Sequence, residues 1–397
     1  MSLVTTNSTS KQLINKNINN DLNSNSLLPF PVISLQNHKG SVLCAKFSNI
    51  DGNIIASGGL DHTIQLWNTP TIENINISSS SSPKENENSE NTDTKLSDSI
   101  EGLNIGTITG HKSAVTSIDF STDNSYIISA SADRTIGFWD IETGRRIRKC
   151  QDHELCINQV VNLKSGNENL SISCSDDSDL NVWDIRYKYP SIKIDSLNNY
   201  PLLSCDASHD NLVYCSGIDP TMYCFDLRFP DKIFWKEESL HQDSITSLKL
   251  FKSNNNNNNK NDNDNDNNNN NNKSIIQNGN YLFSRSMDET IRYYDVSTTT
   301  SSTNKSVKRS KPYIYNGSIS GDEDLLIRCD LNNKGSTIIS GSADNTISCW
   351  DFLTRKLIDK LPGHRGTVID VNFHPVYDNI LLSSSTDGSV IVREHNF

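Results

Sequence analysis

The chain has 397 residues, room for two or three ordinary domains or one large repeat array. Its formal charge of −12 argues against a protein that grips nucleic acid through its own phosphate contacts, which requires a basic face. Apolar residues are only 34%, diluted by Asn-rich and Ser-rich tracts, and no apolar run approaches the ~18 residues of a membrane helix.

The opening residues lack a charged region followed by an apolar stretch, so no secretory leader is read and an intracellular, soluble chain is expected. Residues 1–27 are read as a disordered tail and 28–397 as one domain. PVISLQ, residues 31 to 36, is a short strand that stands just before His38.

From there one pattern recurs: a His, a strand, a second strand ending in Ser, a turn Asp, and six residues later an aromatic. The first unit has His38, Ser57, Asp61 and Trp67, and is followed by a polar insertion at about 71–104. The second has His111, Ser129, Asp133 and Trp139, and the third His153, Ser173, Asp177 and Trp183. In the fourth, Cys215 and Phe225 stand for Ser and Trp around Asp219, with Asn198 or Asn199 near the histidine place. The fifth carries His241, Ser284 and Asp288 with Tyr294, and is interrupted at about 254–277 and 297–311. The sixth keeps Ser340, Asp344 and Trp350, with acidic GDED (321–324) where Gly-His is expected. The seventh has His364, Ser383 and Asp387, with Arg393 at the aromatic place.

Without the insertions the period is about 43 residues, within the WD40 range, and it fills the chain seven times. Each unit reads as four short antiparallel strands, as in AVTSIDF, YIISA, TIGFW and RRIRKC of the second. The fold class is therefore all-β, a seven-bladed WD40 β-propeller. The last unit ends after its third strand, so PVISLQ is expected to supply the fourth and close the ring by pairing the chain's ends.

The repeated Ser, His and Asp are read as structure rather than catalysis. A buried indole N–H needs an acceptor, and Ser, His and Asp extend that bond into a chain. A catalytic triad would appear once, in a cleft, whereas five units carry all three residue types. The nine cysteines form no C-x-x-C pair and are expected as buried thiols, and no metal, cofactor or catalytic site is expected. Units four and six, the most degraded, are expected to be the least rigid.

In such a blade the loops joining first to second and third to fourth strands emerge on one face. All three insertions belong to that face, which leaves the opposite one, with the Asp turns, as the expected partner surface. The residue before each turn Asp points outward there; Leu60, Asp176, Ile218 and Met287 are the candidate contacts. The basic run KSVKRSK (305–311) is read as a possible import signal.

Finer resemblance lies in LLIRC (325–329) and in LPGHRGTV (361–368) followed by FHP (373–375). With SADRTIGFWDIETG (131–144), WDIR at Trp183 and the lost last aromatic, these are similar to the WD-repeat subunit of the spliceosomal U5 small nuclear ribonucleoprotein. That resemblance implies a nuclear, non-catalytic subunit that docks on the large U5 scaffold protein and acts in tri-snRNP assembly and pre-mRNA splicing, with RNA association indirect. The alternative is a substrate receptor of a cullin-4 ubiquitin ligase, because Trp183–Arg186 and Phe225–Arg228 resemble the W-D-x-R box; Arg186 and Arg228 would then be the adaptor contacts.

Overall fold

The computed structural model describes residues 28, 31–70, 103–163, 169–195, 199–208, 210–237, 241–252, 280–296 and 313–397. The expected tail at 1–27, nearly all of the three expected insertions, the basic run at 305–311 and Asn198 lie outside them. Among the described residues the regular elements are all strands, arranged as seven four-stranded antiparallel sheets.

The chain starts with β1 (Val32–Leu35). Blade one is β2 (Val42–Phe47), β3 (Ile54–Gly59), β4 (Thr63–Asn68) and β5 (Asn104–Thr109). Blade two is β6 (Val115–Phe120), β7 (Tyr126–Ser131), β8 (Ile136–Asp140) and β9 (Arg146–Cys150). Blade three is β10 (Ile157–Asn162), β11 (Leu170–Ser175), β12 (Leu180–Asp184) and β13 (Ile192–Ile194). Blade four is β14 (Leu202–Ala207), β15 (Leu212–Gly217), β16 (Met222–Asp226) and β17 (Ile233–Glu237). Blade five is β18 (Ile245–Lys252), β19 (Asn280–Ser286), β20 (Thr290–Asp295) and β21 (Tyr313–Asn316). Blade six is β22 (Cys329–Leu331), β23 (Thr337–Gly341), β24 (Ile347–Asp351) and β25 (Leu357–Leu361). Blade seven is β26 (Val368–Phe373), β27 (Ile380–Ser385) and β28 (Val390–Glu394), completed by β1. β1 pairs antiparallel with β28, Val32 opposite Arg393 and Leu35 opposite Val390, and this closes the ring.

The hydrophobic cores lie between blades. Cys44, Ile64 and Leu66 of blade one pack with Val115, Phe120 and Trp139 of blade two, and Leu35 with Val42 and Val390 across the closure. A sheet covered on both faces needs apolar residues at successive positions, so β6, β7, β10, β26 and β27 are almost wholly buried. The outermost strands face solvent: β9 and β25 are largely exposed, apolar Ile147, Leu357 and Ile358 included.

Polar bonds tie the innermost strands around the channel. Asp119 accepts from the Asn162 N–H at 2.8 Å, Asp206 from Leu250 at 2.7 Å, Asp330 from Phe373 at 2.9 Å and Asp370 from Ala45 at 3.2 Å. Each bond crosses from one blade to the next. Arg328 of blade six crosses the channel itself: it lies 3.4 Å from Asp370 and donates to the carbonyls of Thr116 (3.0 Å) and Asn158 (3.2 Å).

A β-bulge recurs at the start of the innermost strand, between Val42 and Cys44, Val115 and Ser117, and at matching points in blades three, four, five and seven. Blade six has only three paired residues there, and its register is regular. A second bulge sits just before the aromatic, at Leu66/Trp67, Phe138/Trp139, Cys224/Phe225 and Cys349/Trp350. Bulges re-aim a side chain.

Candidate interaction surface

The Asp turns are built by local chemistry. Asp61 Oδ1 accepts the N–H of Thr63, and Asp133, Asp177, Asp288, Asp344 and Asp387 each accept from the residue two places on. The residue between is left-handed: His62, Arg134, Ser178, Glu289 and Asn345 have φ of 64 to 70°. The other oxygen faces the loop of the preceding histidine. Asp61 Oδ2 takes His38 Nδ1 at 2.9 Å and the Lys39 N–H at 3.0 Å.

The chain of bonds continues inward. His38 Nε2 is 2.8 Å from Ser57 Oγ, which accepts the Trp67 indole N–H at 3.0 Å. In blade two the distances are 3.2, 2.7 and 2.7 Å through His111, Ser129 and Trp139, and in blade three 2.8, 2.7 and 2.7 Å through His153, Ser173 and Trp183. A carboxylate only accepts, so Nδ1 carries the proton and Nε2 accepts from Ser. Burial holds His38 and His241 below the usual imidazole value despite the neighbouring Asp61 and Asp288. Burial alone would raise Asp177, yet the His153 hydrogen bond and charge and two backbone N–H groups bring it down to about 2. Gly110 precedes His111 because its φ is +148° and a Cβ would sit 2.9 Å from the Trp139 ring.

Blade five keeps His241 at 3.0 Å from Asp288 and 2.7 Å from Ser284. Blade seven keeps His364 at 2.8 Å from Ser383, but Nδ1 is nearer Ser389 (2.9 Å) than Asp387 (3.4 Å), and Arg393 donates to the Pro362 carbonyl. In blade four Tyr223, unnoticed in the sequence, donates to Asp219 at 3.1 Å, while Cys215 and Phe225 are buried at the Ser and Trp places.

Blade six corrects two expectations. The acidic residues 321–324 do not occupy the histidine place: Thr290 pairs with Asn316, as Thr63 pairs with Thr109, so Gly317 matches Gly110 and buried Ser318 matches His111. Trp350 does not bond to Ser340 either; its N–H goes to the Asn316 carbonyl at 2.9 Å. A serine is too short to bridge Ser340 and Asp344, and two cations divide the histidine's work. Lys360 Nζ reaches Asp344 at 2.7 Å, and Arg285 of blade five reaches Ser340 at 3.0 Å. The Arg285 guanidinium is fully buried and also contacts Thr246, Ser320 and the Ile319 carbonyl; desolvation brings its pKa down to about 10. The signal for it was present, because Arg285 stands where other blades carry Gly58, Ala130 or Gly341.

The Asp turns and the histidine loops share one face: the N–H groups of Leu60, Ala132, Asp176, Ile218 and Met287 bond to carbonyls of Ser41, Ala114, Cys156, Pro201 and Ser244. Leu60 is 50% and Ile218 45% exposed there. Met287 is half-buried instead of exposed, and Asp176 accepts a 2.7 Å bond from Asn158. Leu155 and Ile319, exposed on histidine loops of the same face, were missed because no motif marks them. The chain enters and leaves 71–102, 253–279 and 297–312 on the opposite face. Arg186 and Arg228 also lie on that opposite face, each in a bidentate pair with its own blade's Asp184 or Asp226, at a closest 2.5 Å. Eight cysteines are buried and Cys156 partly so; burial pushes the Cys44 thiol up to about 12.

The WD domain, G-beta repeat family matches residues 30–68, 102–140, 315–351 and 355–393, which fall in blades one, two, six and seven and the end of blade five. The chain is 30% identical over 370 residues to the U5 small nuclear ribonucleoprotein 40 kDa protein of Dictyostelium discoideum, covering 93% of this chain and 86% of that one. It is 31% identical to pre-mRNA-splicing factor cwf17 of Schizosaccharomyces pombe (93% and 89% covered) and 30% identical to the human U5 40 kDa protein (93% and 85%). None of these relatives supports the ligase-receptor reading of Arg186 and Arg228.

Proposed function

The chain belongs to the family of WD-repeat U5 small nuclear ribonucleoprotein 40 kDa proteins, and from that membership we propose that it is a non-catalytic scaffold of the nuclear splicing machinery. In this reading it joins the U5 particle by docking on a large protein subunit and helps assemble the tri-snRNP. The observation that carries the reading is similarity along 93% of the chain to relatives named for U5 and for splicing.

The chemistry of the blades agrees with a scaffold. The Ser-His-Asp sets are spent on indole and turn hydrogen bonds, five times over, and in the first three blades each serine oxygen already holds a Trp N–H. Such a hydroxyl is not poised for attack. The net charge of −12 favours protein contacts over direct RNA contacts. The test is to tag the chain, purify it at moderate salt and sequence the co-purifying small RNAs. Enrichment of U5 with U4 and U6 is expected; an eluate without U5 would overturn the proposal.

A further inference from the structure

The insertion-free face carries a charge division that the repeat pattern does not require. The residue after the histidine, and the left-handed residue of the Asp turn, project from every blade at equivalent places. In blades seven, one and two these are exposed Arg365, Lys39, Lys112 and Arg134. In blades five and six the same rim carries exposed Glu289 and the acidic loop Asp322, Glu323 and Asp324. Arg285 anchors that loop from below through Ser320 and the Ile319 carbonyl.

Lys39, Lys112 and Arg365 make no ion pair among the described residues, and neither do the three acidic loop residues. Histidine-loop chemistry does not explain them either, since Asp61, Asp133 and Asp387 bind the backbone N–H of Lys39, Lys112 and Arg365 and leave the side chains outward. Leu60 and Ile218 stand exposed on the same face. Underneath, the Arg328 guanidinium crosses the channel to the carbonyls of Thr116 and Asn158.

We propose that this face binds one extended protein segment of bipolar charge. Its acidic part lies over blades seven, one and two, where Leu60 also stands, its basic part over blades five and six, and apolar side chains between them meet Leu155 and Ile218 of blades three and four. Charge complementarity sets both polarity and register: a uniformly acidic or basic segment, RNA included, would meet repulsion from one arc. The inference deepens the scaffold reading and rests on it for the choice of complex.

The test uses full-length tagged chain purified with its partners and treated with a carbodiimide, which joins only carboxylates and amines already in contact. Lys39 and Lys112 should link to carboxylates, and Asp322, Glu323 or Asp324 to lysines, within one stretch of a single partner polypeptide. Links from the two arcs to different polypeptides, or a complex with no links at either arc, would overturn the proposal. The variant Lys39→Glu with Lys112→Glu should lower recovery of that polypeptide at least tenfold, whereas Lys188→Glu on the opposite face should not; equal recovery also overturns it. U5 RNA is measured in the same eluate. Its absence would sink the splicing reading, while the crosslink map still decides the face.

Discussion

At the scale of single residues, Ser129 joins two partners that have nowhere else to turn. Ser129→Ala would leave the Trp139 N–H and the proton-accepting nitrogen of His111 unmatched inside the core, at about 1–3 kcal/mol. Thermal unfolding should show the loss, and a smaller one for Ser340→Ala, because Trp350 bonds elsewhere. Arg285→Ala removes the group that substitutes for a histidine in blade six and leaves a cavity between two blades. We expect it to cost more than Ser340→Ala in denaturant titration, with Arg285→Lys recovering part, since one ammonium cannot reach Ser340, Thr246 and Ser320 together. The histidines set the acid side of stability. His38 and His241 have folded values below the ordinary 6.5, so the unfolded chain binds protons more readily. Their contribution is complete above about pH 6.5 and is lost as pH falls through the lowered values. Asp177 adds a second loss between 3.8 and about 2. Urea midpoints should be level near pH 7 to 8 and fall in these two steps.

At the scale of elements, β1 is the strand on which the ring depends. It is four residues long, yet without it β28 becomes an open edge and Val42, Val390 and Val392 lose the cover of Ile33 and Leu35. Deleting residues 1–36 should abolish cooperative unfolding and cause aggregation, whereas deleting 1–27 should leave the transition nearly unchanged; light scattering during a thermal ramp separates the two. The strand was legible because the seventh unit ends one strand short. Blade six was less legible. Its degenerate motif invited the nearest charged residues into the histidine place, and only strand pairing shows that Gly317 and Ser318 stand there.

At the scale of the whole molecule, closure makes seven weak repeats one cooperative body. Blades three and four and nearly all of blade five lie outside the family's matched segments, yet they pair and pack like the rest. The degraded motif of blade four is tolerated because the blade is also held by its neighbours' cores. β4 ends and β5 begins on the face opposite the charged rim, so replacing the polar stretch between them, 71–102, by a short turn should change stability by only about 1–2 kcal/mol. It should leave co-purification of U5 RNA intact, which chemical unfolding and RNA recovery would check together.

The number of blades, the order of their strands and the five Ser-His-Asp sets are legible in the sequence because each is written within about 43 residues and then repeated; the ring closure is legible because the seventh unit ends one strand short. Contacts between blades, by contrast, emerge only from the fold. Arg285 serving Ser340, Arg328 crossing the channel and the opposed charged arcs each depend on residues brought together by the ring. Periodicity describes one repeat at a time, and these contacts arise only when the repeats differ and are bent into a circle.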